Sequence, residues 1–198
     1  MRDSLLGPLT VAACVINLVA QGLIVGVQAL AYFRYDADAH VLGFLFGAFG
    51  VGALAGALAA QQLARTVDLL KLAALAIVAL PLPLFLLAAP LPWAAAAVVL
   101  GACAFFTPLV NAPVIGVLTV RTPEALRPKV ITAVMTVATM AGPLGFLAAG
   151  EALRAVSLST FFVVLPTLLV LAGLAFAAVI LRQGATTDVV AVPDVAHG

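Results

Sequence analysis

Long apolar runs alternate with short polar segments along almost the whole chain. Each run has about the 20 mostly apolar residues that a helix needs to cross a bilayer, and Lys71 is the one formal charge inside them. Barrel strands alternate over about ten residues, whereas these runs are apolar throughout. The pattern predicts an all-α membrane protein with six transmembrane helices, over residues 9–33, 41–63, 69–87, 93–120, 130–149 and 160–181.

Composition supports this interpretation. Hydrophobic residues make up 65% of the chain and charged residues 9%, against about a quarter charged in soluble domains. The surplus apolar surface must face lipid, so the bilayer is the first predicted partner. A net charge of +1 gives no indication of nucleic-acid binding. Cys14 and Cys103 both lie in apolar runs, so we predict neither a disulfide framework nor a metal cluster.

Basic residues are distributed unequally between the two sides of the predicted membrane domain. Arg34 and Arg154 lie on one side, while the other side has Arg2, Arg65, Lys71, Arg121, Arg127, Lys129 and Arg182. Because cytoplasmic loops are enriched in Lys and Arg, both termini are predicted in the cytoplasm and the protein in the plasma membrane. The predicted domains are a cytoplasmic N-terminus (1–8), a transmembrane domain (9–181) and a disordered cytoplasmic tail (182–198).

The first run is predicted to be retained as a helix. It has 25 residues, whereas the apolar part of a cleaved signal peptide has about 7–15.

Three carboxamides lie on one stripe of the first predicted helix. At 100° per residue, Gln21 and Gln28 lie about 40° and 20° around the helix from Asn17. One interpretation is a wet path for a solute, and the other is hydrogen bonding between helices. We favour the path, because three carboxamides exceed what helix association requires.

The fourth and fifth helices add further candidates. Asn111 lies between Pro108 and Pro113, which we expect to break the fourth helix, and Thr107 precedes the first proline. Broken helices with polar residues often mark transporter binding sites, although a kink can also serve packing alone. On the fifth helix Thr136 shares a face with Thr132 and Thr139, whose hydroxyls can instead bond carbonyls of their own helix.

Glycines of the second predicted helix are spaced for close packing. Gly43 with Gly47, and Gly52 with Gly56, fit the small-xxx-small spacing that brings helix backbones together. We predict tight helix contacts rather than direct ligand binding. The segment 141–145, which contains Gly142 and Gly145, predicts a bend in the fifth helix.

No acidic residue, Arg or His lies in the middle of a predicted helix, and no hydrolase, metalloprotease or Walker motif occurs. We therefore predict no enzyme activity, no cofactor and no metal site.

Three stretches carry a resemblance to a known family. The glycine-rich helix 41–58, the loop 122–131 and the Gly-Pro-x-x-Gly element 142–145 with Gly150 resemble parts of the C-terminal half of major facilitator superfamily transporters. The resemblance covers residues 5–182. The loop 63–71 departs from the family pattern, because Asp68 replaces a glycine and leucines replace two basic residues.

The resemblance implies a half-bundle of 3+3 inverted helices. It implies a half-sized or truncated permease that moves a small solute by alternating access, with efflux the expected direction. A second six-helix half, from a homodimer or a split gene, would complete it. The expected substrate-binding residues are Asn17, Gln21, Gln28, Thr107, Asn111 and Thr136. The alternative is a non-transporting membrane scaffold or accessory subunit.

Overall fold

The computed structural model describes the backbone of residues 6–121, 124–140 and 142–187. Every regular element in these ranges is helical, which confirms the all-α fold. The seven α-helices are α1 (Leu6–Arg34), α2 (Ala39–Leu63), α3 (Leu69–Ala79), α4 (Trp93–Arg121), α5 (Arg127–Met140), α6 (Gly142–Ala155) and α7 (Leu158–Thr187). Short 3₁₀ helices cover Leu82–Ala88, after α3, and Glu124–Leu126, before α5.

Five segments of the described chain are long and apolar enough to cross a membrane. They are Ile16–Arg34, Ala39–Leu63, Leu70–Ala88, Trp93–Ala112 and Leu158–Ala178. The predicted fifth run lies in α5 and α6, which have 14 residues each and stand on either side of residue 141, outside the described ranges.

Two predicted boundaries differ from the structure. The expectation that Pro108 and Pro113 break the fourth helix is wrong, because α4 is one uninterrupted element. A proline removes one backbone hydrogen bond, and neighbouring helices in a membrane bundle can support the turn that loses it. Residues 182–187 of the predicted tail continue α7, and residues 188–198 lie outside the described ranges.

Helices α2 and α4 pack backbone to backbone through glycines. A Cβ atom added at Gly52 would fall on the carbonyl oxygen of Gly101, and one added at Gly56 would fall on that of Phe105. The predicted tight contact is therefore confirmed for this pair. Among the described residues, no atom beyond the neighbouring backbone of α2 lies within 4 Å of such a Cβ position at Gly43 or Gly47, so their spacing serves no described helix contact.

Hydrogen bonds from Arg34 join three segments at the end of the bundle where α1 ends and α7 begins. Its guanidinium donates to the carbonyl oxygens of Leu87 (2.6 Å), Ala88 (3.2 Å) and Ala89 (2.7 Å), and to the Ser159 hydroxyl (3.0 Å). We call this end of the molecule the Arg34 end.

Tyr35 adds a hydrogen bond at the same end. Its hydroxyl donates to the carbonyl oxygen of Leu91 at 2.9 Å, in the segment that leads into α4. Burial raises the pKa of Tyr35 and the Arg34 charge partly opposes that rise, so the phenol remains a neutral donor at physiological pH.

The largest fully buried side chains also lie toward the Arg34 end. They include Leu30, Leu45, Leu84, Leu87, Leu100 and Phe162. Most of them are within about two turns of where α1 ends or where α2, α4 and α7 begin. This end of the bundle is therefore filled with close-packed apolar side chains.

Candidate functional site

A cavity of about 350 Å³ lies between α1, α2, α3, α4 and α7. Its polar lining residues are Asn17 and Gln21 from α1, and Cys103, Thr107 and Asn111 from α4. The remainder of the lining is apolar and consists of Ile16, Ala20, Leu23, Ile24, Val27, Leu45, Phe46, Phe49, Ile77, Leu80, Pro81, Leu100, Val110 and Leu169.

The predicted polar residues come from two helices whose backbones lie apart. Among the described residues, no α-carbon of α1 lies within 8 Å of one in α4, so the cavity separates these helices. Asn17 and Gln21 are four residues apart, as are Thr107 and Asn111, and each pair therefore presents one helix face. A small molecule in the cavity can meet hydrogen-bonding groups from both walls.

Gln21 is supported by a glycine surface on α6. A Cβ atom at Gly142 would lie 3.5 Å from Gln21 Cγ and 3.6 Å from its Nε2. At Gly145 the backbone of α6 approaches so closely that a Cβ would fall on the Leu18 carbonyl oxygen. The sequence predicts a bend at these glycines and not this contact, although their spacing of three residues places them on one helix face.

Gln28 and Thr136 lie outside the cavity lining. The side chain of Gln28 is exposed, one helical turn beyond Ile24 and closer to the Arg34 end. Thr136 is exposed on α5, and its carbonyl oxygen accepts a 3.0 Å hydrogen bond from the Thr139 hydroxyl. This bond agrees with the alternative interpretation of Thr132, Thr136 and Thr139, in which threonine hydroxyls donate to carbonyl oxygens of their own helix.

The polar groups are concentrated at one end of the cavity. With a rise of 1.5 Å per residue, Gln21 and Asn17 lie about 20 and 26 Å along α1 from Arg34. Thr107 and Asn111 lie about 21 and 27 Å along α4 from its first residue. We call these four residues the polar end of the cavity.

The opposite end of the cavity is apolar. On the same scale, Val27, Leu45 and Leu100 lie only about 9 to 11 Å from the ends of α1, α2 and α4 that meet at the Arg34 end. These three side chains are buried. The cavity therefore changes from apolar to polar along the length of the bundle.

The lining contains no Asp, Glu, Lys, Arg or His among the residues described. The described part of the chain also contains no group of three His, Cys, Asp or Glu residues that could hold a metal ion. The chemistry of this site is thus hydrogen bonding and apolar contact.

Comparisons with family models, with curated proteins and with solved structures returned no match to this chain.

Proposed function

We propose that the chain is a half-sized permease of the major facilitator type, which moves a small solute across the plasma membrane by alternating access. The observation that supports this most is the cavity, because it lies among apolar helices of membrane-spanning length and has hydrogen-bonding groups on two separate walls. Transporter sites are commonly formed in this way, from polar groups at the middle of a helical bundle.

The proposal includes a sixth crossing made jointly by α5 and α6. Together these helices have the length of one transmembrane helix, and both pack against α1. A sixth crossing gives a 3+3 repeat and places both termini in the cytoplasm, as the basic residues predict. A second six-helix half, from another copy or from a separate gene, completes the permease, and we expect efflux as its direction.

Purified chain in lipid vesicles tests this function. Vesicles are loaded with the small-molecule fraction of an extract from cells that express the protein, and released compounds are measured by mass spectrometry. We expect at least one compound to leave faster than from protein-free vesicles. Gln21→Leu should slow that release by about two- to tenfold, since one hydrogen bond contributes about 0.5–1.5 kcal/mol.

Gln28→Leu is the matched control, because it removes the same carboxamide from the same helix outside the cavity. Its release rate should equal that of the unaltered chain. If vesicles release no compound faster than protein-free ones, with the chain alone or with a second half, the permease proposal fails.

A membrane scaffold or accessory subunit is the second candidate, and α2 favours it. Only 11% of the residues in the most apolar part of α2 are buried, which is the lowest share among the five candidate spans. A Cβ atom added at Gly43, Gly47 or Gly50 would meet no other described helix within 4 Å. A scaffold needs an exposed helix face for its partner but no cavity. If the chain is a scaffold, Gln21→Leu and Gln28→Leu should therefore give the same result in the vesicle experiment.

A further inference from the structure

The cavity limits the charge of any molecule that binds in it. An ionised ligand would leave water for a cavity whose described lining residues offer no opposite charge. Transfer of an unpaired ion into such surroundings is strongly unfavourable, even where hydrogen bonds remain available. A molecule that is neutral at physiological pH avoids this cost.

The polar end accepts several kinds of neutral group. The carboxamides of Asn17, Gln21 and Asn111 each carry N–H donors and a carbonyl acceptor, and the Thr107 hydroxyl can donate or accept. A ketone, hydroxyl or amide can therefore be bound there. A charged group would need a fixed opposite charge, which these four side chains cannot supply.

The remaining lining calls for an apolar body. Buried apolar side chains line the part of the cavity toward the Arg34 end, among them Val27, Leu45 and Leu100. The volume of about 350 Å³ lies near the small end of ligand pockets, which hold about 300–1,000 Å³. One compact molecule with a single polar end matches both the size and the division of the lining.

We propose that the cavity binds neutral amphiphiles, with the polar group against Asn17, Gln21, Thr107 and Asn111 and the apolar body toward the Arg34 end. This rests on the proposed function in one respect, namely that the cavity is where the permease holds its solute. It adds the chemical class of that solute and the direction in which the molecule lies.

Two photoreactive probes of nearly equal shape test this ligand class. Benzophenone is neutral, with two apolar rings and one ketone that inserts into neighbouring C–H bonds under ultraviolet light. 4-Benzoylbenzoate adds a carboxylate to the same skeleton. Each probe is irradiated with the full chain in lipid nanodiscs, and the adducts are mapped by mass spectrometry.

Adducts at the polar end are divided by adducts at Val98 and Leu171, which are exposed outside the cavity. This ratio removes differences in how the two probes partition into lipid. We expect the ratio to be higher for benzophenone by about tenfold or more, because the carboxylate meets no opposite charge. Gln21→Leu should lower the benzophenone ratio by about two- to tenfold, and Gln28→Leu should leave it unchanged.

Equal ratios for the two probes would overturn the inference, as would benzophenone adducts confined to outward-facing residues. The vesicle experiment separates this result from the proposed function. Cavity adducts without release of any compound would contradict the permease and support the ligand class. Release of an ionised compound without cavity adducts would support the permease and contradict the ligand class.

Discussion

Replacing Gly52 with alanine is expected to lower the free energy of unfolding by about 1–3 kcal/mol or more, the usual cost of overpacking a close contact. The added methyl group would occupy the position of the Gly101 carbonyl oxygen. Backbone cannot move aside as a flexible side chain can, so α2 and α4 must separate along their contact. The midpoint of thermal unfolding, measured in detergent by circular dichroism, should fall.

Gly47→Ala is the control for this substitution, because it adds the same methyl group to the same helix where nothing lies within 4 Å. Alanine is a better helix former than glycine by about 0.8–1.0 kcal/mol. Gly47→Ala should therefore match or exceed the stability of the unaltered chain. Equal unfolding midpoints for the two variants would mean that α2 and α4 do not meet as described.

Arg34→Met is expected to cost about 2–3 kcal/mol of stability, since hydrogen bonds from a charged group contribute about 1.5–3 kcal/mol each and these are only partly buried. Methionine retains much of the apolar stem and loses the four hydrogen bonds to the carbonyls of Leu87, Ala88 and Ala89 and to Ser159. The Arg34 end loses the group that connects α1 to α7 and to the segment before α4. The same thermal unfolding measurement reports this loss.

Arg154→Met is the control, because it removes a positive charge without removing the hydrogen bonds of Arg34. Arg154 has one ion pair, with Glu151 at 3.4 Å, and the two side chains are 80% and 75% exposed. Pairs of this kind contribute about 0–1 kcal/mol, so the midpoint should change little. If both variants lose the same stability, Arg34 does not have the role that its hydrogen bonds indicate.

The helices were largely predictable because lipid imposes one simple rule on sequence. A segment that crosses the bilayer must be apolar and must satisfy its own backbone, and this rule identified 41–63 and 93–120 as helices. The rule gives no information about contacts between helices. Gly142 and Gly145 of α6 pack against α1, and this contact joins segments far apart in the chain.

The cavity was predictable in part, for a related reason. Helical angle places Asn17, Gln21 and Gln28 on one stripe, but the sequence does not indicate which part of that stripe the neighbouring helices enclose. In the structure Val27 still lines the cavity, whereas the next residue, Gln28, does not. Apolar lining residues such as Leu45 on α2 and Leu169 on α7 cannot be identified from the sequence, since only the packing of the helices places them at the cavity.

Reactivity of a cysteine placed at Thr107 tests the central claim most directly, namely that a membrane bundle contains a cavity whose polar end holds water when no ligand is bound. Iodoacetamide, which is small and uncharged, reacts with thiolates and therefore needs water at the thiol. In a chain that also carries Cys14→Ala and Cys103→Ala, Thr107→Cys should be alkylated in lipid nanodiscs. Ala104→Cys, which is fully buried, and Val98→Cys, which is 72% exposed outside the cavity, should stay unlabelled. Equal protection at all three positions of α4 would contradict the account.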